Sequence, residues 1–469
     1  MTDSSVTDSS VTDSSFSALS LSREMIANLE SLGYKAMTPI QAESLPHILA
    51  GRDLLAQAKT GSGKTAAFGI GLLSRLNVTR FRVQTLVLCP TRELADQVGK
   101  ELRRLARATH NVKILTLCGG MPFGPQIGSL EHGAHIVVGT PGRILEHIRK
   151  DRLLLDEVAT LVLDEADRML DMGFRDAIAE IAEKTPAKRQ TLLFSATYPD
   201  GIQKISKDFQ RNPIEVSVES HHDDGVIEQR FFLTSRDGRR DALVKLMRHY
   251  QPESTVVFCN TKVACEDVAE RLRSEGFHAQ ALHGDLEQRD RDRVLAQFAN
   301  RSSSILVATD VAARGLDIKE LKAVINYEVT RDAEVHVHRI GRTGRAGSKG
   351  LALSLYTENE QYKLEDIEAY QRKPAEYGSL AHLKPKEIVM EPAMVTLIID
   401  GGRKDKVRAG DILGALTGDA GIPGPQVGKI DLFDYCAYVA IDRTIANQAM
   451  KRLQSGKIKG RQFRVRKLS

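Results

Sequence analysis

Apolar residues in this chain fall into short continuous runs separated by amphipathic stretches of helical length. Residues 53–56, 85–89, 113–117, 135–138, 160–163 and 191–194 form such runs, the pattern of strands buried on both faces. Helical spacing fills the intervals. Met25, Ile26, Leu29 and Leu32, for example, follow a capping Ser22 and stop at Gly33. This alternation predicts an α/β lobe with a parallel sheet and ligands at the carboxyl ends of its strands. A polar stretch at 219–226 breaks the pattern and predicts a linker. The alternation then restarts with runs at 255–258, 279–282, 304–308, 323–326 and 350–354, which predicts a second lobe of similar size.

The pattern changes again after a segment with prolines at 374, 385 and 392. Strands are predicted at 394–400, 428–431, 437–441 and 461–466. Helices are predicted at 411–416, capped by Asp411, and at 444–453. That order, βαββαβ, is the layout of an RRM-like α+β domain. At the other end, residues 2–15 repeat Thr-Asp-Ser-Ser, which is too polar to bury a core and predicts a disordered leader. The expected organisation is a leader at 1–15, a lobe at 16–218, a linker at 219–226, a lobe at 227–370, a linker at 371–392 and an end domain at 393–469.

Candidate chemistry concentrates at strand ends. Ala58, Lys59, Thr60, Gly61, Ser62, Gly63, Lys64 and Thr65 join the first strand run to a helix. Glycine lets successive N–H groups and a helix N-terminus converge on one phosphate chain. Lys64 would reach the β- and γ-phosphates, and the Thr65 hydroxyl would bind Mg²⁺. The run at 160–163 ends in Asp164, Glu165, Ala166 and Asp167. Asp164 is placed to hold Mg²⁺ through water, and Glu165 to deprotonate an attacking water. The second lobe has no phosphate loop of its own. Two lobes with one nucleotide site predict a cleft that opens and closes.

Composition narrows the class. A length of 469 residues fits about three domains. No apolar run reaches membrane-spanning length, and no basic-then-apolar leader opens the chain, so a cytoplasmic protein is expected. Five cysteines, Cys89, Cys118, Cys259, Cys265 and Cys436, lack metal-ligand spacing and read as reduced thiols. The net charge of +5 is uneven. Residues 393–469 carry 14 Lys and Arg against 7 Asp, a net +7, which leaves −2 on the rest. Residues 451–468 hold eight basic groups and no acidic one. Nucleic acid is therefore expected first at the end domain.

From residue 16 to 370 the chain resembles the DEAD-box RNA helicases. The motifs occur in the family's order: Thr38-Pro-Ile-Gln41, the loop at 58–65, Pro90-Thr-Arg-Glu-Leu-Ala95, Gly119-Gly120, Thr140-Pro-Gly-Arg143, the 164–167 tetrapeptide and Ser195-Ala-Thr197. Val257-Phe-Cys-Asn260, Gln288 with Arg291, the 308–317 stretch and His338-Arg-Ile-Gly-Arg-Thr-Gly-Arg345 follow. The resemblance implies two RecA-like lobes forming a cleft, and ATP as the nucleotide. It assigns Gln41 to the adenine edge, with Tyr34 stacked on the ring, places Asp317 near the ribose and counts Gly315 among the ATP-binding residues. Arg342 and Arg345 resemble arginine fingers for the γ-phosphate. Asp167, Ser195 and Thr197 form a coupling network. Thr91, Arg92, Thr140, Arg143, Arg291 and Thr309 match RNA-contacting positions.

The end domain resembles the RNA-binding domain of DbpA-type bacterial helicases, which implies large-subunit ribosomal RNA and pre-ribosomal particles as partners. Stacking aromatics are sparse on its expected sheet face: Cys436 takes a likely aromatic position and leaves Tyr438. RNA contacts are therefore expected from Lys451, Arg452, Lys457, Lys459 and Arg461, with Arg464 and Lys467 in the same basic cluster. Three other functions compete with a helicase: an ATP-gated RNA clamp, an assembly scaffold and a DNA translocase.

Overall fold

The computed structural model describes residues 14–58, 61–197, 200–218, 227–313, 321–344, 349–418 and 421–468. The expected leader through residue 13, the linker at 219–226, and Lys59, Thr60, Gly315, Asp317 and Arg345 lie outside the described residues. The chain divides into two compact units between His221 and His222.

The first unit is built on seven strands: β1 (Leu54–Gln57), β2 (Thr85–Leu88), β3 (Ile114–Leu117), β4 (Ile136–Gly139), β5 (Thr160–Asp164), β6 (Gln190–Ser195) and β7 (Ile214–Ser217). They form one parallel sheet in the order β3-β4-β2-β5-β6-β1-β7. Because successive side chains point to opposite faces, a continuous apolar strand feeds two cores. Leu54 and Ala56 enter one and Leu55 the other; Val87 enters one, Leu86 and Leu88 the other. Helices on both faces close these cores. The run expected at 53–56 is displaced by one residue. Asp53 instead stays buried just before the strand, where its carboxylate accepts from the Thr191 and Arg211 amides at 2.8 and 2.7 Å. β7 escaped the sequence pattern because its Ile-Glu-Val-Ser is half polar and only Val216 is buried.

The second unit repeats the plan. Its strands are β8 (Ile227–Leu233), β9 (Thr255–Cys259), β10 (Ala279–Leu282), β11 (Ile305–Thr309), β12 (Ala323–Asn326), β13 (Gly350–Tyr356) and β14 (Tyr377–Gly378). The order is β10-β11-β9-β12-β13-β8-β14, again parallel. β14 corrects the sequence expectation, since it belongs to the stretch expected as a linker. Most of that stretch is exposed, yet it is bonded to the lobe. The Arg248 and Gln251 side chains donate to the Glu387 and Ile388 carbonyls at 2.9 and 2.5 Å, and Val389 joins the lobe's core.

The same unit carries a four-stranded antiparallel sheet: β15 (Met394–Ile399), β16 (Val427–Leu432), β17 (Ala437–Asp442) and β18 (Val465–Lys467), in the order β16-β17-β15-β18. Helices Ala409–Thr417 and Ala446–Ser455 pack on it, with Ile412, Leu416, Ala449 and Leu453 meeting Val395, Leu397 and Val439. The expected βαββαβ order is present. Two details differ. Asp411 is not the cap but the third helical residue, reaching back to the Arg408 amide at 2.9 Å. The last strand starts later than expected because 458–461 closes a turn in which Lys459 and Gly460 have φ of 52° and 79°.

Candidate active site and nucleic-acid interface

Three neighbouring strands, β5, β6 and β1, end side by side and bring together residues far apart in sequence. The Ala58 amide donates to the Ser195 carbonyl at 3.0 Å, which ties the phosphate loop to the tip of β6. The loop turns at Gly63, φ +100°, and opens the helix Lys64–Ser74. A Cβ at Gly63 would stand 2.5 Å from Gln41 Nε2 and 2.9 Å from Thr38 Oγ1, so only glycine fits there. Lys64 is buried and donates to the Ala58 carbonyl across its own loop at 2.6 Å. Thr65, the next residue of that helix, is half-buried.

Gln41 and Tyr34 are held by the protein itself. Gln41 Oε1 accepts from the Thr38 amide at 2.9 Å, and Nε2 donates to the Gly63 carbonyl at 3.1 Å. It thereby caps the helix Pro39–Leu49 and fastens that helix to the loop; one amide hydrogen and one oxygen lone pair remain for a ligand. The Tyr34 hydroxyl donates to Glu101 Oε1 at 2.5 Å, with the Arg104 guanidinium 5.5 Å over its ring and Phe16 edge-on at 6.2 Å. Burial, reinforced by Glu101, holds the phenol well above its ordinary pKa.

β5 delivers the acidic groups. Asp164 is buried, and burial pushes its carboxyl up to about 7 against the pull of the Lys64 ammonium, with Glu165 adding to the rise. Its Oδ1 accepts from the Glu165 amide at 3.1 Å. Glu165 has φ +52°, a left-handed conformation that costs a non-glycine residue about 1–3 kcal/mol and gathers at functional sites. Asp167 Oδ2 accepts from the Ala196 and Thr197 amides at 3.2 Å each and from Thr197 Oγ1 at 3.1 Å. The tips of β5 and β6 are thus stapled together. Through Ser195, β6 is also bonded to the loop. Thr38 Oγ1, Ser62 Oγ and Ser195 Oγ are buried without a partner among the described residues.

The other half of the same edge, at β2, β4 and β3, holds the expected RNA residues of the first lobe. Thr91 caps the helix Arg92–Leu105, accepting from the Leu94 amide at 3.2 Å. Arg92 lies across Gly120, whose missing Cβ would fall 1.7 Å from Arg92 Nη1. Thr140 precedes the helix Pro141–Arg149. Arg143 is engaged, donating to the Met121 carbonyl at 3.0 Å and pairing with Glu146 at 3.1 Å.

In the second unit, Thr309 ends β11 and accepts from the Ala312 amide at 3.4 Å, while Arg291 reaches the His283 carbonyl at 3.4 Å. Arg342 follows the helix Ala333–Ile340 and is half-buried. On the end domain, Lys451, Lys457 and Arg461 are exposed, and Lys459 donates to the Lys406 carbonyl at 2.9 Å. Arg452 holds the helix Ala409–Thr417 in place by donating to the Ala415 and Gly418 carbonyls at 3.0 and 2.9 Å. Tyr438, the expected lone sheet aromatic, is buried.

Comparison with known proteins agrees with this geometry. The DEAD/DEAH box helicase family model matches residues 38–205, the helicase conserved C-terminal domain matches 238–347, and the DbpA RNA binding domain matches 396–467. The ATP-dependent RNA helicase DbpA of Escherichia coli (strain K12) is 54% identical over 449 residues, 94% of this chain and 97% of that protein. The DEAD-box ATP-dependent RNA helicase CshA of Bacillus cereus is 45% identical over 351 residues, 75% of this chain and 67% of that protein. The chain belongs to the DEAD-box RNA helicases. Among solved structures, S. cerevisiae Dbp5 bound to RNA and ADP BeF3 superposes with a TM-score of 0.72 at 30% identity, covering 78% of this chain and 96% of that one.

As a DEAD-box helicase the chain is an ATP-dependent enzyme acting on RNA, with a DbpA-type RNA-binding domain. Among the described residues no helix is long and apolar enough to cross a membrane. Sequence reasoning missed several residues that support the expected site residues. Phe16, Glu101 and Arg104 set the Tyr34 ring. Arg339 is fully buried and donates to Asp310 through Nε and Nη2 at 2.7 Å each, to Asn260 Oδ1 at 2.9 Å and to Asn326 Oδ1 at 3.2 Å. It lies inside the quoted 338–345 motif, so the signal was present, but its role as an internal brace depends on partners from three other segments.

Proposed function

We propose that this helicase hydrolyses ATP when bound to RNA, separates short duplex segments locally, and is directed by its end domain to large-subunit ribosomal RNA during ribosome assembly in the cytoplasm. Convergence of Lys64, Asp164, Glu165 and Asp167 on the three adjacent strand tips carries the catalytic part. Residues 58–65 cradle the phosphates, Gln41 and Tyr34 take the adenine, Asp317 takes the ribose, and Gly315 also binds the ATP. Glu165 accepts the proton of the attacking water.

A divalent ion suits the site: burial raises the Asp164 carboxyl against the pull of Lys64, and the Ser62 hydroxyl in the loop has no partner among the described residues. Thr65 would hold Mg²⁺ directly and Asp164 through water, and the ion would neutralise charge on the β- and γ-phosphates. Arg342 and Arg345 would stabilise charge on the transferring phosphoryl group. They belong to the second lobe, so turnover would wait for RNA to draw the lobes together. Asp167, Ser195 and Thr197 would pass the state of the nucleotide to the RNA-facing half of the edge. Thr91, Arg92, Thr140, Arg143, Arg291 and Thr309 would hold the RNA backbone without reading bases.

The match to a DbpA RNA-binding domain and the exposed Lys451, Lys457 and Arg461 support the ribosomal RNA assignment. The test measures ATP turnover of wild-type and Glu165→Gln chains with a large-subunit ribosomal RNA fragment and with an unrelated RNA. Wild type should respond more strongly to the ribosomal fragment. Glu165→Gln should bind ATP and RNA but lose turnover by about 10²-fold or more. Near-normal turnover in the variant would remove Glu165 from the mechanism, and equal stimulation by both RNAs would remove the ribosomal RNA assignment.

A further inference from the structure

The half of the first lobe's edge expected to meet RNA has a support outside its expected contacts. Phe123 opens the helix Phe123–Glu131, just past the Gly119-Gly120 turn. Its ring lies 4.3 Å from the His147 imidazole and 17° from parallel to it. The Arg143 guanidinium stands 5.4 Å over the same ring, and the Lys150 ammonium 4.2 Å. Arg143, His147 and Lys150 are spaced i, i+4 and i+7, so one face of the helix Pro141–Arg149 and its C-cap brings all three to Phe123. Gln126, one turn past Phe123, completes the seam. Its Nε2 donates to the Cys118 carbonyl at 3.0 Å, which turns Oε1 toward His147, and His147 Nε2 donates to that oxygen at 2.9 Å.

Charge explains why a ring belongs there. An aromatic face is negative and attracts cations, whereas an aliphatic side chain would only pack against them. His147 is buried, and burial, with Arg143 adding to it, pushes its imidazole down to about 4. It is therefore neutral near pH 7 and does not repel the two cations. Arg143 is fixed before any ligand arrives. Its Nη1 donates to the Met121 carbonyl at 3.0 Å, its Nε pairs with Glu146 at 3.1 Å, and its side chain is only 11% exposed. Arg92 lies across Gly120, so two arginines assigned to RNA meet the chain at residues 120–121. The remaining guanidinium N–H groups of Arg143 are left for a phosphate.

We propose that Phe123 is a positioning residue for RNA binding: its ring, stacked on His147, holds Arg143 in the conformation that grips the RNA backbone. Phe123 itself touches no RNA. A long side chain fixed in advance does not have to be ordered on binding. The ring should therefore show in the affinity for RNA and not in the affinity for ATP. The proposal rests on the RNA assignment made for Arg143.

Full-length wild type, Phe123→Leu, Arg143→Ala and the double variant together test it. Each is titrated with an unstructured single-stranded RNA, and ATP turnover is followed against RNA and ATP concentration. Phe123→Leu should raise the RNA dissociation constant, and the RNA concentration for half-maximal turnover, about threefold to tenfold, the effect of having to order one long side chain. Turnover at saturating RNA and affinity for ATP should match wild type. In the Arg143→Ala background the same change should have no further effect, since the ring has no guanidinium to hold. An equal loss in both backgrounds would mean that Phe123 touches RNA or only stiffens the lobe, and would overturn the proposal.

Phe123→Tyr keeps a ring against His147 and should bind RNA as wild type does; a loss as large as that of Phe123→Leu would count against the stack. If Phe123→Leu misfolds, His147→Leu removes the other ring and decides the matter, with a loss of RNA affinity expected only where Arg143 is present. Loss of RNA affinity in Arg143→Ala with none in Phe123→Leu would overturn the proposal alone. An Arg143→Ala chain that binds RNA as tightly as wild type would refute the RNA assignment of Arg143, and the proposal with it.

Discussion

The first lobe's sheet runs β3-β4-β2-β5-β6-β1-β7 and the second's β10-β11-β9-β12-β13-β8-β14, so each strand of one has a counterpart in the other. At the expected RNA half the two are alike. Thr91 caps the helix after β2 and Thr261 the helix after β9, accepting amides at 3.2 and 3.1 Å. Thr140 follows β4, and Thr309 ends β11.

The other half differs. Gly63 and Lys64 start the helix after β1, whereas Gly238 and Arg239 start the helix after β8. Arg239 pairs with Glu360 at 2.5 Å and stands 5.8 Å over the Tyr327 ring. Asp164 ends β5; its counterpart Asn326, ending β12, donates to Ser354 Oγ at 3.0 Å and accepts from Arg339 at 3.2 Å. Arg239 and Asn326 are thus engaged with side chains of their own lobe, whereas Lys64 donates to the Ala58 carbonyl and Asp164 accepts from the Glu165 amide. A shared scaffold therefore does not make a site; the side chains placed on it do.

The largest test of this contrast concerns what the second lobe lends to the chemistry. If it supplies only arginines, Arg345→Ala should cut RNA-stimulated ATP turnover by about 10³-fold or more, with ATP affinity near wild type. Turnover and nucleotide titrations on one preparation check this, and a parallel loss of affinity would place Arg345 in ATP binding rather than in turnover.

Asp164 offers the next. Its carboxyl sits near 7 in the folded chain against an ordinary 3.8. The native state therefore keeps a proton that the unfolded chain releases. Stability from this group is fully present below about pH 4 and is lost as pH rises through 7, at about 1.4 kcal/mol per unit. Asp164→Asn should accordingly stabilise the nucleotide-free chain at pH 8 by up to about 4 kcal/mol, with the gain gone near pH 4. Urea unfolding at both pH values measures it, and a pH-independent change would refute the burial argument.

The smallest effect belongs to the counterpart of Lys64. Arg239→Ala leaves Glu360 short of a buried partner and should cost about 3 kcal/mol of stability, with ATP affinity unchanged. Weaker ATP binding in a fully folded Arg239→Ala chain would mean that the two lobes are less different than their bonding implies.

Strands such as 85–89 and 160–163 were legible because a parallel strand buried on both faces must be apolar along its length. β7, β8 and β14 were not. β8 reads Ile-Glu-Gln-Arg-Phe-Phe-Leu, with polar residues in its first half, and β14 has only two residues. The phosphate loop was legible because its glycines answer a local backbone demand. The stretch 371–392 was read as a linker because its prolines signal irregular backbone, and exposed irregular backbone can still be bonded to a lobe.

Sequence alone determined what is local here: strand and helix periods, the Gly63 turn, and the order of the helicase motifs. These depend on a residue and its near neighbours along the chain. Tertiary structure decided which polar groups meet. It made Gln41 a brace for the phosphate loop, and Arg452 a clamp on Ala415 and Gly418 where sequence had only a basic cluster. It also closed Tyr438 against Ala296, 142 residues earlier in the chain. Burial belongs to two surfaces in contact, and no spacing along one strand reveals the surface that will cover it.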